Sequence, residues 1–316
     1  MSAGRRRSAR IITGAAGLVV VAAALGLWLF GERWRLAQPS TLRGLRGGGG
    51  RGGTRLSALH AYVYGRWTNQ YLDVLIKLIF PRLDEEGLKW WRDRYHAKVL
   101  TLDQAEAIVL HDHDVPRQDL GEQIIPYPLA RDIVLTGTPD VAAYECACRH
   151  ARPEHCEPTQ VCMVVGRSFV EFLLEHNPQS TRRLTQAEAV GLLRAEHERG
   201  HVHSAWFKDA MDGRFYAICN CCSCCCAGIE AMTEYGSPLM ASSGFVARLD
   251  ADECTSCGAC VDACPFGALS MDDGVARVKW DACMVCGACE SQCAAECIDL
   301  VRDERKGDPL DVRLLA

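Results

Sequence analysis

Cys254-Thr-Ser-Cys257-Gly-Ala-Cys260-Val-Asp-Ala-Cys264-Pro265 is followed, twenty-nine residues on, by Cys283-Met-Val-Cys286-Gly-Ala-Cys289-Glu-Ser-Gln-Cys293. The two stretches align without a gap and share a Cys-Gly-Ala-Cys core. Thiolates spaced C-x2-C-x2-C in a tight loop reach three corners of a cubane, and the fourth thiolate comes from elsewhere. Gly258 and Gly287 let the backbone turn closely and aim N–H groups at the sulfurs. C-x2-C pairs also bind zinc. Successive x2 spacings, duplicated in register, favour iron–sulfur.

The rest of the chain is read outward from this repeat. It has 316 residues and 19 cysteines, with 48% hydrophobic and 24% charged residues. That is globular composition, able to bury a core without a disulfide scaffold. No cysteine lies in residues 1–145, ten lie between Cys146 and Cys226, and nine lie between Cys254 and Cys297. Such clustering suits metal or cluster sites, and the odd total argues against complete pairing.

The net charge of −5 hides an asymmetry: residues 1–56 hold ten arginines against the single acid Glu32. These arginines flank an apolar run and a glycine tract without a recognition motif, so nucleic-acid binding is not expected. Ile11–Phe30 is a 20-residue stretch with no charge, long enough as a helix to cross a bilayer, with Trp28 and Trp34 at its downstream end. A retained single-pass anchor is expected, with a cleaved signal peptide as the alternative. Arginines balance on the two sides. A cytoplasmic body is preferred because oxygen-sensitive clusters are assembled there.

The expected class is α+β: an N-terminal transmembrane helix, an α-rich, cysteine-rich middle domain and a C-terminal ferredoxin-like duplicated domain. The expected boundaries are a basic tail 1–10, the span 11–30, an Arg/Gly-rich linker 31–56, the middle domain 57–232, repeats 245–274 and 275–303, and a tail 304–316. Leu56–Phe80 reads as a core helix ended by Pro81. Thr101-Leu-Asp-Gln104 and Thr185-Gln-Ala-Glu188 read as capping boxes. Ile133–Leu135 and Val141–Tyr144 read as short strands in an otherwise irregular stretch.

Two cysteine groups lie upstream. Cys146, Cys148, Cys156 and Cys162 supply four ligands within 17 residues, enough for one metal or one cluster. Cys219, Cys221, Cys222, Cys224, Cys225 and Cys226 pack six thiols into eight residues, delivered by a strand over Arg214–Ile218. Such density selects iron–sulfur, zinc or Cu(I). One or two further iron–sulfur clusters, a structural or storage zinc or copper site, and a redox-active thiol centre all remain open. His150, His155, His201 and His203 accompany the group as ligands or as polar neighbours, and His111-Asp-His113-Asp114 is a second candidate metal turn.

On the spacing quoted above, the region from about Phe245 to Asp303 resembles the bacterial two-cluster ferredoxins. The resemblance implies two [4Fe–4S] clusters, one held by Cys254, Cys257, Cys260 and Cys293, the other by Cys283, Cys286, Cys289 and Cys264, the fourth cysteine crossing over. It also implies a strand, cluster loop, helix and strand in each half, with strands at Phe245–Leu249 and Ala276–Val278. Ala294 replaces the usual proline of the second half, and Cys297 is an extra thiol, either a buried spare or an alternative ligand. The upstream group resembles, loosely, cysteine-rich segments of uncharacterised iron–sulfur proteins.

No dinucleotide fingerprint, P-loop or nucleophile elbow occurs, so no nucleotide cofactor is expected. A partner protein is then needed to donate or accept electrons. Residues 245–316 hold 14 acids against seven bases, which suits steering to a basic surface. The leading expectation is a membrane-anchored electron carrier. A reductase centred on 146–226, and a ferredoxin fused to a storage or structural metal site, are the alternatives.

Overall fold

The computed structural model describes residues 55–315 and three short pieces, 21–23, 25–26 and 38–41. Nine strands make one sheet: β1 (Tyr95–Leu100), β2 (Val115–Asp119), β3 (Asp132–Leu135), β4 (Val141–Tyr144), β5 (Cys162–Val165), β6 (Thr181–Leu184), β7 (Val202–Lys208), β8 (Arg214–Cys221) and β9 (Met240–Ala241). The order is β6-β4-β5-β8-β7-β1-β9, with β2 and β3 branching beside β8. Pairing is antiparallel except at β1/β9 and β3/β8.

The expected α-rich middle domain is therefore corrected to a mixed domain built on a large sheet. The physical reason is burial on both faces, which removes the alternation that marks a strand in sequence. Strands β1, β5 and β7 are buried at every residue. Moreover, β1 and β7 carry polar side chains inside: His96, Lys98, His203, Ser204 and Lys208 are all at most 1% exposed. Burial lowers Lys98 to about 7, against the nearby Asp308 carboxylate, and lowers His96 to about 4. Lys208 lies over the rings of Tyr95 (4.2 Å) and Tyr64 (4.7 Å), which partly replace its lost hydration.

One face of the sheet is covered by helices Arg55–Arg66, Thr68–Val74 and Ala227–Thr233. Leu102–Leu110 and Gln186–Glu198 cover the other. The expected single helix over 56–80 is broken at Trp67 and closes through a π-helical turn at Leu75–Ile79. Both capping boxes form: Thr101 Oγ1 accepts from Gln104 N, and Thr185 Oγ1 from Glu188 N.

The C-terminal repeat folds on its own small sheets. β10 (Phe245–Leu249) of the first half pairs with β13 (Ile298–Arg302) of the second, and β11 (Leu269–Asp272) pairs with β12 (Val275–Val278). Residues 304–315, expected as a tail, return to the large sheet: Leu310 and Val312 are fully buried in its core, and Arg313 reaches Asp103 at 2.6 Å. The repeat docks through its second loop. Ser243 Oγ donates to Val285 O at 2.8 Å, and Gln292 Nε2 to Glu198 O at 2.9 Å.

The expectation of a transmembrane helix and a membrane location is also corrected. Among the described residues no helix is long and apolar enough to cross a membrane. Most of the 11–30 segment lies outside those residues.

Candidate cluster and metal sites

Each repeat shapes its cysteine loop with the same backbone irregularities. Gly258 and Gly287 have φ of 77° and 84°, and Ser256 and Val285, one step before the second cysteine of each loop, have φ of 59° and 51°. A β-branched residue in this region is strained, and strain of this kind persists where surrounding structure over-determines it. Val285 is held by its 3% exposed side chain and by Ser243.

The first cavity is lined by Cys254, Cys257, Cys260 and Cys293, walled by Leu249, Met271, Ala276 and Ile298. Burial pushes the Cys260 thiol up, and so do its neighbours Cys293, Cys254 and Cys257. Backbone N–H groups of Ala276 and Ser256 hold Cys254 below its usual value. The second group is deeper. Burial pushes Cys286 up to about 12, with Cys264 and Cys283 adding to it, and Cys289 senses Cys286, Cys283 and Cys264. The first cavity thus draws three thiols from one loop and the fourth from the other, and Cys264 of the first loop acts electrostatically on Cys286 and Cys289 of the second. Cys297 lines the first cavity, 3.4 Å from Cys293. Cys260, Cys286 and Cys289, whose thiols burial pushes up, become thiolates only against a cation, so loading them releases protons.

The upstream cysteines do not fall into their two sequence groups. Cys156 separates from Cys146, Cys148 and Cys162, because it sits in the loop between β4 and β5, facing the chain beyond β8. It joins Cys222, Cys224 and Cys225, and these four sulfurs lie within 4.8 Å of one another. Burial pushes Cys156 and Cys222 up to about 12 and Cys225 to about 11. For Cys224 burial acts the same way, but hydrogen bonds from Cys225, Cys156 and Cys222 outweigh it and hold that thiol below its usual value.

The other six line a buried chamber at the end of the sheet, with Tyr64, Tyr95, Tyr144 and Trp206 in its wall and Cys222 of the quartet at its edge. Strand periodicity puts Cys219 and Cys221 on one face and Asn220 on the other. Asn220 is pinned there: its Oδ1 accepts from His203 Nδ1 and its Nδ2 donates to Val161 O, both at 2.7 Å.

The histidines go elsewhere. His150 pairs with Glu145 (2.9 Å), His201 with Glu196 (2.7 Å) and His155 with Glu157 (3.6 Å). The His111 and His113 rings lie 3.9 Å apart, tilted by 45°, and join no three-ligand group among the described residues. What sequence reasoning missed is Arg149. It is fully buried and bonded to Glu196 Oε2 (3.1 Å) and to the carbonyls of Pro158 and Asn220. Burial opposes its charge, and Cys222, Cys156 and Cys146 outweigh that burial. No spacing rule singles out a lone arginine beside Cys148.

Residues 247–270 match the family model of the 4Fe-4S binding domain. A 32-residue stretch, 10% of the chain, is 53% identical to a probable ferredoxin of Methanosarcina thermophila. The chain spans about half the length of that relative, 55%. The C-terminal region is a ferredoxin-type 4Fe-4S domain. At least one [4Fe–4S] binding site goes with it. No solved structure matches. The ferredoxin domain sets its second loop against the large sheet, where Gly287 faces the His197 ring: a Cβ there would lie 3.0 Å from His197 Cε1. Cys286 and Ala288 of that loop belong to the same apolar core as Cys221, Cys226 and Ala227.

Proposed function

We propose that this chain carries electrons through two [4Fe–4S] clusters in its ferredoxin domain. Cys254, Cys257, Cys260 and Cys293 hold the outer one; Cys283, Cys286, Cys289 and Cys264 hold the inner one. The observation that carries this reading is the crossed grouping of the thiols, which supplies two complete four-thiolate sets from one duplicated sequence. The outer set includes the exposed Cys257, so electrons enter or leave there. The partner is a redox protein with a basic docking face, since the domain is acidic. The inner set passes electrons toward the sheet domain.

Cluster potentials respond to burial and to hydrogen bonds on sulfur. The inner set is the more buried, so the two clusters differ in potential. The test is anaerobic purification of the full chain, iron and acid-labile sulfide analysis, and EPR on stepwise reduction. At least eight irons per chain and two reducible, magnetically interacting signals are expected. Fewer than eight irons in fully loaded protein, or no reducible signal, would overturn the proposal.

A further inference from the structure

The quartet and the six-thiol chamber differ in scale. A tetrahedral ion with metal–sulfur bonds of about 2.3 Å sets its sulfurs about 3.8 Å apart. A cubane holds its thiolates farther apart, because four metals and four sulfides lie between them. Among the described residues, Cys156, Cys222, Cys224 and Cys225 are the only set of three or more such ligands within 4.8 Å of one another. Neither ferredoxin set is drawn so tight, and neither are the six chamber thiols.

Two further features belong to the quartet. A four-thiolate zinc site carries two net negative charges, and the buried Arg149 guanidinium feels Cys222 and Cys156 most, with Cys146 of the chamber after them. The quartet also ties the loop before β5 to the turn after β8, as a closed four-ligand structural site would.

The chamber is built differently. The chamber thiols share one cavity and perturb one another there: Cys146 interacts with Cys148 and Cys162, Cys162 with Cys219, Cys148 with Cys226, and Cys226 with Cys221. These interactions run through all six thiols as one chain, Cys219–Cys162–Cys146–Cys148–Cys226–Cys221. Six thiols exceed the four positions of a tetrahedral ion. Six unmatched thiolates in an apolar chamber would repel one another strongly. A hydrogen-bond relay already ends on one sulfur: Trp206 Nε1 donates to Ser204 Oγ at 2.9 Å, and Ser204 Oγ lies 3.4 Å from Cys221 Sγ. A serine hydroxyl has one donor and two acceptor lone pairs, so Ser204 is able to donate to the sulfur while accepting from Trp206.

We propose that the ten upstream cysteines serve two centres of different size: Cys156, Cys222, Cys224 and Cys225 hold one tetrahedral zinc ion, and Cys146, Cys148, Cys162, Cys219, Cys221 and Cys226 hold one polynuclear iron–sulfur centre. The chamber centre rests on the electron-transfer reading above; the zinc site does not. Electron exchange with the inner ferredoxin cluster is a one-electron step, one cluster oxidised as the other is reduced, with no atom transferred.

The test measures zinc, iron and acid-labile sulfide per chain in the anaerobically purified full chain, with Cys224→Ser, Cys219→Ser/Cys221→Ser and Cys257→Ser beside it. The wild type should hold one zinc and more than eight irons. C224S should lose the zinc and keep its iron. C219S/C221S should fall to eight irons and keep its zinc, whereas C257S should lose iron from the ferredoxin domain alone. Iron lost in C224S, or iron unchanged in C219S/C221S, would overturn the proposal. Wild-type iron below eight would instead overturn the two-cluster reading. Should the chamber variant not fold, zinc-edge X-ray absorption of the wild type decides the quartet: four sulfur neighbours at about 2.3 Å support it, and any nitrogen or oxygen neighbour, or no zinc, overturns it.

Discussion

Replacing Arg149 by methionine removes the one buried guanidinium that joins the two upstream thiol sites to the sheet. Both Arg149 and Glu196 are 0% exposed. Breaking a buried pair from one side costs about 3–5 kcal/mol, because the remaining charge is left uncompensated. Glu196 keeps two other partners, His201 at 2.7 Å and Arg199 at 2.8 Å, so the low end, about 3 kcal/mol, is expected for R149M. The carbonyls of Pro158 and Asn220 also lose their donor. At roughly 2–4 °C per kcal/mol for a domain of this size, the melting temperature should fall by about 6–12 °C. R149K should not restore it, since a single ammonium cannot span a carboxylate and two carbonyls in a fixed fork. The assay is denaturant unfolding followed by circular dichroism under anaerobic conditions, on wild type, R149M, R149K, E196Q and R149M/E196Q. The double variant should lose less than the sum of the singles. A loss below about 1 kcal/mol in R149M, the range of exposed pairs, would refute the reasoning.

Cys264→Ser should silence the inner cluster and leave the outer one, although Cys264 lies in the first motif; Cys293→Ser should do the reverse. EPR of each reduced variant reports this, and loss of the same-motif cluster would contradict the crossed grouping. His96 is held at about 4 by burial against an ordinary value of 6.5. Between those values the unfolded chain binds the extra proton, so stability falls as pH drops from 6.5 toward 4, by up to ~3 kcal/mol. H96Q should flatten that part of the pH–stability curve, and an identical slope in the variant would count against it. Gly244 has φ +94°, and a Cβ there would lie 2.9 Å from Pro309 N and 3.0 Å from Gly307 O. G244A should therefore cost about 1–3 kcal/mol and loosen the return of residues 304–315, visible as faster amide exchange at Leu310 and Val312; unchanged exchange would argue against it.

The ferredoxin repeat was legible because its chemistry is local. Three of four thiols in each set fall within seven residues, so spacing alone points to the cofactor, and the strands and short helices of each half lie where the motif implies. The capping boxes were legible for the same reason: Thr101 and Thr185 act across three residues. The sheet was not, because β1 and β7 bury His96, Lys98, His203, Ser204 and Lys208, whose burial depends on partners far along the chain.

The amino-acid sequence by itself determined that thiols dominate this protein's chemistry, and it determined the ligand spacing of the C-terminal region. Only the tertiary structure decided how the ten upstream cysteines divide. Cys156 meets Cys222 across 66 positions of sequence, through the strand pairing of β5 with β8. Its near neighbours Cys146, Cys148 and Cys162 turn instead toward Cys219, Cys221 and Cys226. Sequence proximity governs ligand sets only where one loop makes them. Where strand pairing makes them, it brings together cysteines far apart in sequence, such as Cys156 and Cys222.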